Sequence, residues 1–568
     1  MAGRHHLRTM NRSCPFRRVF IYYWYPKLDA HRKQYTTTSS RWYHEVSYQR
    51  YGKDPKDVLS YCSDPRIADF DLPDPIIDDN NNNNNIDEKY PSLPDCRNED
   101  GHGLLVRVEM MHVPWNPADV NTVQGRYPSP YPYAATSPMP SIASVSSSSQ
   151  SDRKSIRVAS DRCIGRYFEK DPVIGSEGWG RVTHSASSSS SLSSSSFPPG
   201  TLVTMGLPGL GTLRSSLWVP ASAVLPVPNI VWERLGPAGS SLFQLGGTAL
   251  RLLSDFVVAA PGDVVIQNAG NSGVGFLASQ LTASPMLLGS SNKNNNIGDR
   301  DGDSHGDSDG NTSTSNEYRS TTPIMVSLIR RRGKSKESFD ETVDYLTRVG
   351  KNAFVVAEED FFLPEDSSTS KDRENGTATT IKINEAAIRE MRQRLRALSP
   401  TGSLPKLALN AVGGNSARVL LKLLEPNAGS TIVTYGGMSG KGVDVPTPQL
   451  IFNDVRAVGY WHSRWMVQQH EHEQAERKRR HARGETNNSK CSNSSDRDKP
   501  YSRRAEMVDI LSRLVQEEDL KCPPAHIVRL EDLQKGLLWQ ANQSDCQSSD
   551  PSHQSPIRKK LVWDCGEQ

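Results

Sequence analysis

Short apolar stretches separated by turn-forming residues fill the first part of the chain. Residues 42–51, 104–111, 201–206 and 217–225 carry apolar and β-branched side chains in runs of strand length. Pro and Gly interrupt these runs, most densely across residues 171–182. The pattern predicts an irregular all-β module that ends near residue 230.

Strand and helix patterns alternate in the second part of the chain. Apolar strand candidates lie at 263–267, 324–329, 354–357, 407–412, 431–435 and 455–460. Helical patterns lie between or beside several of them, for example at 248–256, 385–398 and 416–424. This alternation predicts an α/β fold with a doubly wound parallel sheet. A further apolar face at helical spacing, from Met507 to Val515, predicts a docked helix near the C-terminus.

Polar, low-complexity blocks interrupt both patterns. They lie at 76–103, 134–164, 184–196, 286–322, 365–376 and 468–503, and Asn or Ser dominates several of them. Such composition offers little apolar area to offset the entropy lost on ordering, so these blocks are predicted to be disordered inserts. What remains is long enough for a two-domain globular core.

Composition excludes several classes of protein. The net charge is only +3, which gives no case for a dedicated nucleic-acid surface. No run of about 18 apolar residues predicts a membrane span. The eight cysteines form no CxxC pair and several lie in the polar blocks, so neither a zinc knuckle nor a disulfide framework is expected.

The first residues are basic and carry no acidic side chain before Asp29. An Arg-rich leader of this kind is typical of an organelle transit peptide, and residues 1–40 are interpreted as a mitochondrial (matrix) address. An unstructured basic tail and a plastid address remain open. A secretory signal is a weaker alternative, because its apolar candidate from Val19 to Tyr25 is short and mostly aromatic.

The sharpest local motif is a glycine-rich turn between a predicted strand and a predicted helix. Gly270, Gly273 and Gly275 follow the strand 263–267 in the spacing G-x-x-G-x-G, which differs from the usual G-x-G-x-x-G. Glycines let backbone N–H groups approach a pyrophosphate at the start of the following helix. The flanking elements supply the context that such a motif needs, so a dinucleotide site is predicted.

An arginine triplet follows the next predicted strand. With the polar block 286–322 left out, Arg330, Arg331 and Arg332 fall about 20 residues after the glycines, where a reader of the ribose 2′ position belongs. An acid there would read a free hydroxyl, whereas arginines pair with a 2′-phosphate. The triplet therefore favours NADPH over NADH, although a solvated basic turn is the alternative.

Other candidate sites are weaker. His470 and His472 lie in a charged segment that is more typical of a solvated helix or loop than of a metal site. The Asp-rich string from Asp299 to Asp309 has Ser304 where a calcium loop needs glycine. The basic run 477–480 is interpreted as a solvated loop, with an acidic carrier protein as a less favoured partner. No metal site is predicted.

Several blocks together resemble one family. Residues 266–275, IQNAGNSGVG, are similar to the cofactor turn of mitochondrial trans-2-enoyl-CoA reductases, also called enoyl-acyl-carrier-protein reductases. This is a zinc-free, quinone-oxidoreductase-like branch of the medium-chain dehydrogenase/reductase superfamily. Further blocks match in the family's order: 51–59, 114–127, 209–212, 407–414, 433–438 and 459–465.

The resemblance implies a GroES-like, β-rich catalytic domain and a Rossmann domain that binds NADPH. The implied boundaries are 41–235 for the catalytic domain, 236–465 for the Rossmann domain with its insert at 286–322, and 466–568 for a further disordered insert and a segment that returns to the catalytic domain. The family reduces the 2,3 double bond of enoyl-CoA or enoyl-acyl carrier protein in mitochondrial fatty-acid synthesis, and it often forms homodimers.

The resemblance also implies roles for single residues. Tyr127 is the implied proton donor, although Tyr131 and Tyr133 lie close by. The implied cofactor contacts follow the glycine turn, the arginine triplet and three later segments: Gly270, Asn271, Ser272, Gly273, Val274, Gly275, Arg330, Arg331, Arg332, Tyr435, Gly436, Gly437, Met438, Tyr460, Trp461, His462 and Lys559.

Two departures from the family pattern are visible. Leu245 stands where the family usually has Asn, and Gly175-Ser-Glu177 lacks the His that zinc-dependent relatives use. Two other functions stay open at this stage. One is an NADPH-dependent quinone oxidoreductase, and the less favoured one is a non-catalytic protein that uses the cofactor fold for binding.

Overall fold

The structure is a computed structural model, and it describes residues 43–48, 55–57, 59–64, 105–124, 174–186, 197–289, 322–331, 335–363, 381–483, 502–518, 520–545 and 559–566. The described strands are β1 (Tyr43–Tyr48), β2 (Leu59–Asp64), β3 (Leu105–Pro114), β4 (Trp179–Ala186), β5 (Leu202–Met205), β6 (Ser216–Pro220), β7 (Val224–Pro226), β8 (Val264–Asn268), β9 (Ile324–Ile329), β10 (Phe354–Ala357), β11 (Leu407–Asn410), β12 (Thr431–Thr434), β13 (Arg456–Gly459), β14 (Ala525–Arg529) and β15 (Lys560–Asp564).

The described helices lie between and after these strands. They are α1 (Pro117–Val123), α2 (Asn229–Leu235), α3 (Leu242–Ser254), α4 (Gly273–Thr282), α5 (Pro285–Gly289), α6 (Lys336–Arg348), α7 (Glu385–Leu398), α8 (Gly414–Leu423), α9 (Thr447–Ile451), α10 (His462–Ala482), α11 (Arg503–Glu517) and α12 (Leu533–Asp545). None of the helices in these described stretches has both the length and the apolar character that crossing a bilayer requires.

A mixed sheet forms the β-rich part of the molecule. Its strands follow the order β14-β15-β3-β4-β5-β7, and β6 also pairs with β3. On β3, Val106, Val108 and Met110 are buried while Arg107 and Glu109 between them are partly exposed, as one covered sheet face requires. The separate hairpin of β1 and β2 is antiparallel. The predicted module is thus confirmed as β-rich, but it is not all-β, because helix α1 lies within it.

The second sheet has six strands in the order β10-β9-β8-β11-β12-β13, and every pairing in it is parallel. The central strands β8 and β11 are buried along their whole length, because helices cover both faces of a doubly wound sheet. The predicted α/β class with a parallel sheet is confirmed. The chain runs outward from β8 in one direction and from β11 in the other, so a crevice opens between their carboxyl ends.

Parts of three predicted inserts are wrong, and the first is residues 184–186 of the block 184–196, which belong to β4. The block 468–503 was expected to be disordered and the run 477–480 to be a loop, yet α10 continues without a break from His462 to Ala482. The helix lacks Pro and Gly and is rich in Gln, Glu, Arg and Lys, which are good helix formers. Residues 286–289 of the block 286–322 likewise belong to a helix, α5. Residues 290–321 lie outside the described residues.

A buried ion pair fixes α10 against α11. The Arg504 guanidinium donates to both carboxylate oxygens of Glu473, and its Nη1 also donates to the carbonyl oxygen of Gly206 at 2.8 Å. Only 2% of the Arg504 side chain and 9% of the Glu473 side chain are exposed. Helix α11 in turn packs on α3, with Leu511 against Gly246. The pair therefore ties the long helix to the core beneath the site described below.

Breaking this pair should destabilise the protein strongly. Arg504→Met keeps much of the side-chain volume but leaves the Glu473 carboxylate buried without its cation. Removing one partner of a buried pair costs about 3–5 kcal/mol. We expect a loss of that size in the free energy of unfolding measured by urea denaturation. Arg479→Met is the matched control, because Arg479 pairs with Glu476 on the exposed face of the same helix and should lose less than about 1 kcal/mol. Equal losses in both variants would contradict the buried pair's role.

Candidate functional site

A cavity of about 690 Å³ lies at the carboxyl edge of the parallel sheet. Helix α1 with the residue before it, Asn116, and the glycine turn at 271–274 line the cavity. The segments that follow β12 and β13, 435–438 and 460–462, close the cavity on a third side together with Lys559 and Lys560. The cavity therefore combines residues from both sheets.

The glycine turn connects β8 to α4 as predicted. The Ser272 hydroxyl accepts a hydrogen bond from the backbone N–H of Gly275 and begins α4 as its N-cap. A Cβ at Gly270 would lie 2.4 Å from the Ser327 side chain of the neighbouring strand, and a Cβ at Gly275 would lie 2.6 Å from the Ala269 carbonyl oxygen. Glycine is needed at both positions for this close packing, which leaves the N-terminus of α4 facing the cavity.

The segment after β12, residues 435–438, forms a second part of the cavity wall, in which two glycines lie beside one aromatic ring. Gly436 has the Ala411 carbonyl oxygen 2.8 Å from where its Cβ would be, whereas Gly437 faces open space with nothing within 4 Å. Half-buried Tyr435 and exposed Met438 flank them. Burial raises the pKa of the Tyr435 hydroxyl, so it stays protonated at neutral pH.

A tyrosine–histidine pair lies on the third side of the cavity. The Tyr460 hydroxyl is 2.8 Å from His462 Nδ1, and the His462 ring stacks on Trp465. Burial, with the nearby charge of Arg251, lowers the pKa of His462 to about 3, so the imidazole is neutral at physiological pH. Burial also raises the pKa of Tyr460. Both groups therefore meet a ligand as neutral hydrogen-bonding partners.

Arg330 and Arg331 lie at the carboxyl end of β9, next to β8 but not in the cavity wall. Arg331 donates from Nη1 to Asp360 Oδ1 at 2.8 Å, and its backbone N–H donates to both carboxylate oxygens of Glu359. The hydrogen bond that Arg331 donates to Asp360 raises the pKa of Arg331. Arg330 is partly exposed. Arg332 lies outside the described residues.

Most of the other predicted contacts come together. The cavity wall contains Asn271, Ser272, Gly273, Val274, Tyr435, Gly436, Gly437, Met438, Tyr460, Trp461, His462 and Lys559. Gly270 and Gly275 lie behind the wall, in the framework of the turn. Tyr127 lies outside the described residues, although Gln124, three positions earlier in the sequence, lines the cavity. These positions test geometry only, so the assigned roles stay predictions.

Sequence reasoning missed a buried polar cluster in the same wall. Glu177 accepts hydrogen bonds from Asn116 Nδ2 at 2.9 Å and from the backbone N–H of Gln244 at 3.0 Å. The backbone N–H of Asn116 donates to Asp119 Oδ2 at 2.8 Å. Leu245, the departure noted above, packs against Gly273 of the phosphate-binding turn. Both Asn116 and Glu177 stand in recognisable sequence blocks, but nothing in either block says that the two meet.

The chain combines a mixed β-rich sheet with a six-stranded parallel sheet and has a glycine turn at the switch in strand order, and the solved structures described below share this fold. No family model matches the chain. Mitochondrial enoyl-[acyl-carrier-protein] reductase of Rattus norvegicus is 28% identical over 363 residues, which are 64% of this chain and 66% of that protein. The match thus spans just under two thirds of that relative's length.

A solved structure agrees with this similarity. The mitochondrial 2-enoyl thioester reductase Etr1p/Etr2p heterodimer from Candida tropicalis is 20% identical, with a TM-score of 0.52 over 92% of this chain and 100% of the other. A complex of Etr1p with NADP and crotonyl-CoA is similar to the same degree, with a TM-score of 0.52 and 20% identity over 92% of this chain and 100% of the other. The resemblance and the two-part fold expected from the sequence are confirmed.

Proposed function

We propose that this protein reduces trans-2-enoyl thioesters to saturated acyl thioesters with NADPH, as an enoyl-CoA or enoyl-acyl carrier protein reductase of mitochondrial fatty-acid synthesis. One observation carries the proposal. A single cavity is lined by the glycine turn, by the small-residue segment after β12 and by α1, whose chain continues toward Tyr127. The relatives that the chain matches bear the name of that activity.

The residues present fit the proposed cofactor. Backbone N–H groups at the start of α4, a helix of ten residues, face the cavity where a pyrophosphate would be stabilised by the helix dipole. Gly437 leaves open space beside Tyr435 in which a flat ring can lie. Arg330 to Arg332 would hold the 2′-phosphate at the end of β9. Two neutral groups, Tyr460 and His462, complete the nicotinamide side.

The chemistry assigns two tasks to the chain's own residues. Bound NADPH supplies a hydride to C3 of the enoyl thioester. The protein must then stabilise the developing enolate oxygen and deliver a proton to C2. A phenol stays neutral at pH 7 and still donates, which fits Tyr127 as the proton donor. The apolar wall from Trp115, Leu245 and Leu537 excludes water around the reacting carbons.

A direct assay separates this function from its rival. NADPH oxidation is followed by absorbance with crotonyl-CoA, with a longer enoyl-CoA and with a small quinone as acceptors, and NADH is run in parallel. We expect turnover of the enoyl thioesters with NADPH and little with the quinone. Preference for the quinone would establish the quinone oxidoreductase instead. Failure to bind NADPH in a fluorescence titration would favour the non-catalytic alternative.

We also propose the mitochondrial matrix as the location of the protein and residues 1–40 as its transit peptide. The basic, acid-free start of the chain supports this, as does the word mitochondrial in the names of its relatives. Residues 41–235 and the C-terminal strands are proposed as the catalytic domain, and 236–465 as the cofactor domain. A fluorescent protein fused behind residues 1–40 should reach mitochondria; a cytosolic signal would contradict the address.

We propose that the protein forms a homodimer through the β13 edge of the parallel sheet. The strand order ends at β13, so its outer backbone groups are not paired within the described sheet. Next to it, Leu450, Ile451 and Phe452 form an apolar patch with exposed fractions of 47%, 66% and 71%. Large exposed apolar side chains beside an open strand edge favour pairing with a second copy about a twofold axis.

Charging this patch should dissociate the dimer. Ile451→Asp combined with Phe452→Asp places two carboxylates where the partner's equivalent patch would pack. We expect the mass measured by light scattering to fall from a dimer to a monomer. Val258→Asp is the matched control, since Val258 is exposed to a similar extent, 67%, outside the patch. A monomeric wild type, or a double variant that remains dimeric, would rule out this interface.

A further inference from the structure

Asn116 is held in one orientation by a buried carboxylate. Its Nδ2 donates to Glu177 Oε2 at 2.9 Å, and only 6% of Asn116 and 4% of Glu177 are exposed. The other carboxylate oxygen, Oε1, accepts the backbone N–H of Gln244 at the start of α3. Above the pKa of Glu177, its ionised carboxylate can only accept hydrogen bonds, so the amide nitrogen of Asn116 must face it. The amide oxygen is thereby turned away from Glu177.

That amide oxygen has no partner. Asn116 Oδ1 is buried and makes no hydrogen bond of standard geometry within the described part of the chain, although the backbone N–H of Asp119 faces the same side chain in a capping-box arrangement and donates to the Asn116 carbonyl oxygen at 3.0 Å. Buried polar atoms are normally satisfied, and leaving one unsatisfied is costly. Asn116 lies in the wall of the large cavity, between Trp115 and Asp119. An unpaired acceptor at this place indicates a ligand that brings a hydrogen-bond donor.

We propose that Asn116 Oδ1 accepts a hydrogen bond from a sugar hydroxyl of the dinucleotide, on its nicotinamide half, and that Glu177 is the positioning residue that keeps this oxygen turned toward it. The inference deepens the proposed function and rests on it. Neither residue transfers a proton to substrate. Their task is to fix the ribose, and with it the ring that carries the hydride.

The cofactor is favoured over the thioester by what surrounds the cluster. Gln244, which binds Glu177, precedes Leu245, and Leu245 packs on Gly273 of the phosphate turn. The cluster thus sits one side chain away from the proposed pyrophosphate position. The Tyr435 and Gly437 positions proposed for the ring line the same cavity as Asn116. The ribose that joins pyrophosphate to ring has to pass between these two groups.

Charged groups around Glu177 make the orientation depend on pH. Burial raises the pKa of Glu177 to about 8, with Asp119 of α1 adding to the rise and Lys560 of β15 opposing it. Cys522, from the segment before β14, lies near enough for Glu177 to raise the pKa of its thiol. Below about pH 8 a protonated Glu177 can donate to Asn116 Oδ1 and let the amide turn over. Above it, the carboxylate holds the amide as described.

The test measures dissociation constants for NADPH by fluorescence titration in the full-length protein. Asn116→Ala removes the acceptor and should raise the Kd about threefold to tenfold, the usual worth of one hydrogen bond. Glu177→Gln should raise it less, because the amide can still face either way. In the double variant, Glu177→Gln should add nothing to Asn116→Ala, since its effect passes through Asn116.

The wild-type Kd should fall as the pH rises through about 8, and this dependence should vanish in Glu177→Gln.

Binding of adenosine 2′,5′-bisphosphate distinguishes a loss of affinity confined to the nicotinamide ribose from a general loss of structure in the cofactor site. The bisphosphate carries the 2′-phosphate but no nicotinamide ribose, so all three variants should bind it as the wild type does. Glu425→Gln is the matched control, because Glu425 likewise accepts a backbone N–H, from Leu404, at the opposite edge of the sheet. It should leave the Kd for NADPH unchanged.

Four outcomes would overturn the proposal. They are an unchanged Kd in Asn116→Ala, additive losses in the double variant, equal loss of the bisphosphate, and a rise only in the KM for crotonyl-CoA. A rise only in the KM for crotonyl-CoA would show that the hydrogen-bond donor to Asn116 Oδ1 belongs to the thioester substrate. A wild type that binds no NADPH would instead remove the proposed function itself, and it is recognised before any variant is made.

Discussion

Tyr127→Phe should lose about 10²- to 10⁴-fold in kcat on an enoyl-CoA, the usual contribution of general acid catalysis. The substitution keeps the ring and removes only the hydroxyl. NADPH binding should survive, because the glycine turn and the arginines are untouched. Gln124 lines the cavity, and three residues span at most about 10 Å, so the chain can bring Tyr127 to the same space. Single-turnover kinetics with crotonyl-CoA measure the chemical step directly.

Tyr131→Phe is the control for this experiment, since Tyr131 lies only four positions further along the sequence, and this variant should behave like the wild type. A loss at the low end of the range is consistent with water replacing part of the donor. Full turnover in Tyr127→Phe together with a loss in Tyr131→Phe would show that the acid is the other tyrosine. If neither hydroxyl mattered, the enoyl-reductase mechanism would lack its acid.

Replacing Arg330 and Arg332 with Ala should weaken NADPH binding by about 10²- to 10⁴-fold while barely affecting NADH. Charge-assisted hydrogen bonds to a phosphate contribute about 1.5–3 kcal/mol each, and two are removed. Arg330 follows directly on β9, beside the strand that leads into the glycine turn. Titration of both cofactors against the double variant gives the two affinities.

Arg331→Ala provides the comparison that the structure suggests. Arg331 is bound to Asp360 through its guanidinium and to Glu359 through its backbone, so it has less to offer a phosphate. We expect a smaller loss of NADPH affinity from this variant than from the double one. If the double variant lost NADPH and NADH equally, the arginines would serve the fold rather than the phosphate.

Local pattern was enough for elements whose signals are written in consecutive residues. Helix α7 has the predicted bounds, because Asn384 caps it and its apolar residues Ile388, Met391 and Leu395 repeat at helical spacing. The glycine turn was likewise readable, since strand, turn and helix follow each other directly. The prediction of disorder from composition was wrong for residues 468–482. This sequence is polar and charged, but its residues favour a helix.

The part that could not be read is made of contacts between distant residues. Asn116 and Glu177 are 61 positions apart, and Glu177 and Gln244 are 67 apart. Each appears in a block that can be recognised alone, yet only the closure of the mixed sheet against α3 brings them together. The interaction of Arg504 with Glu473 is of the same kind, since it depends on how two helices cross. Patterns in a single sequence do not predict contacts between residues that are this far apart along the chain.

Helix α10 connects the cavity wall to the loops of the mixed sheet. His462, its first residue, stands in the cavity wall, and Glu473 lies eleven residues further on, about 16 Å along the axis at 1.5 Å per residue. Arg504 clamps that second point to the Gly206 and Ser222 carbonyls of the mixed sheet's loops. Helix α10 thus connects the cavity wall at His462 with the point at which Arg504 holds Glu473 against the mixed sheet. We therefore expect a change in the spacing of the two sheets to move His462, and with it the cavity wall, through helix α10.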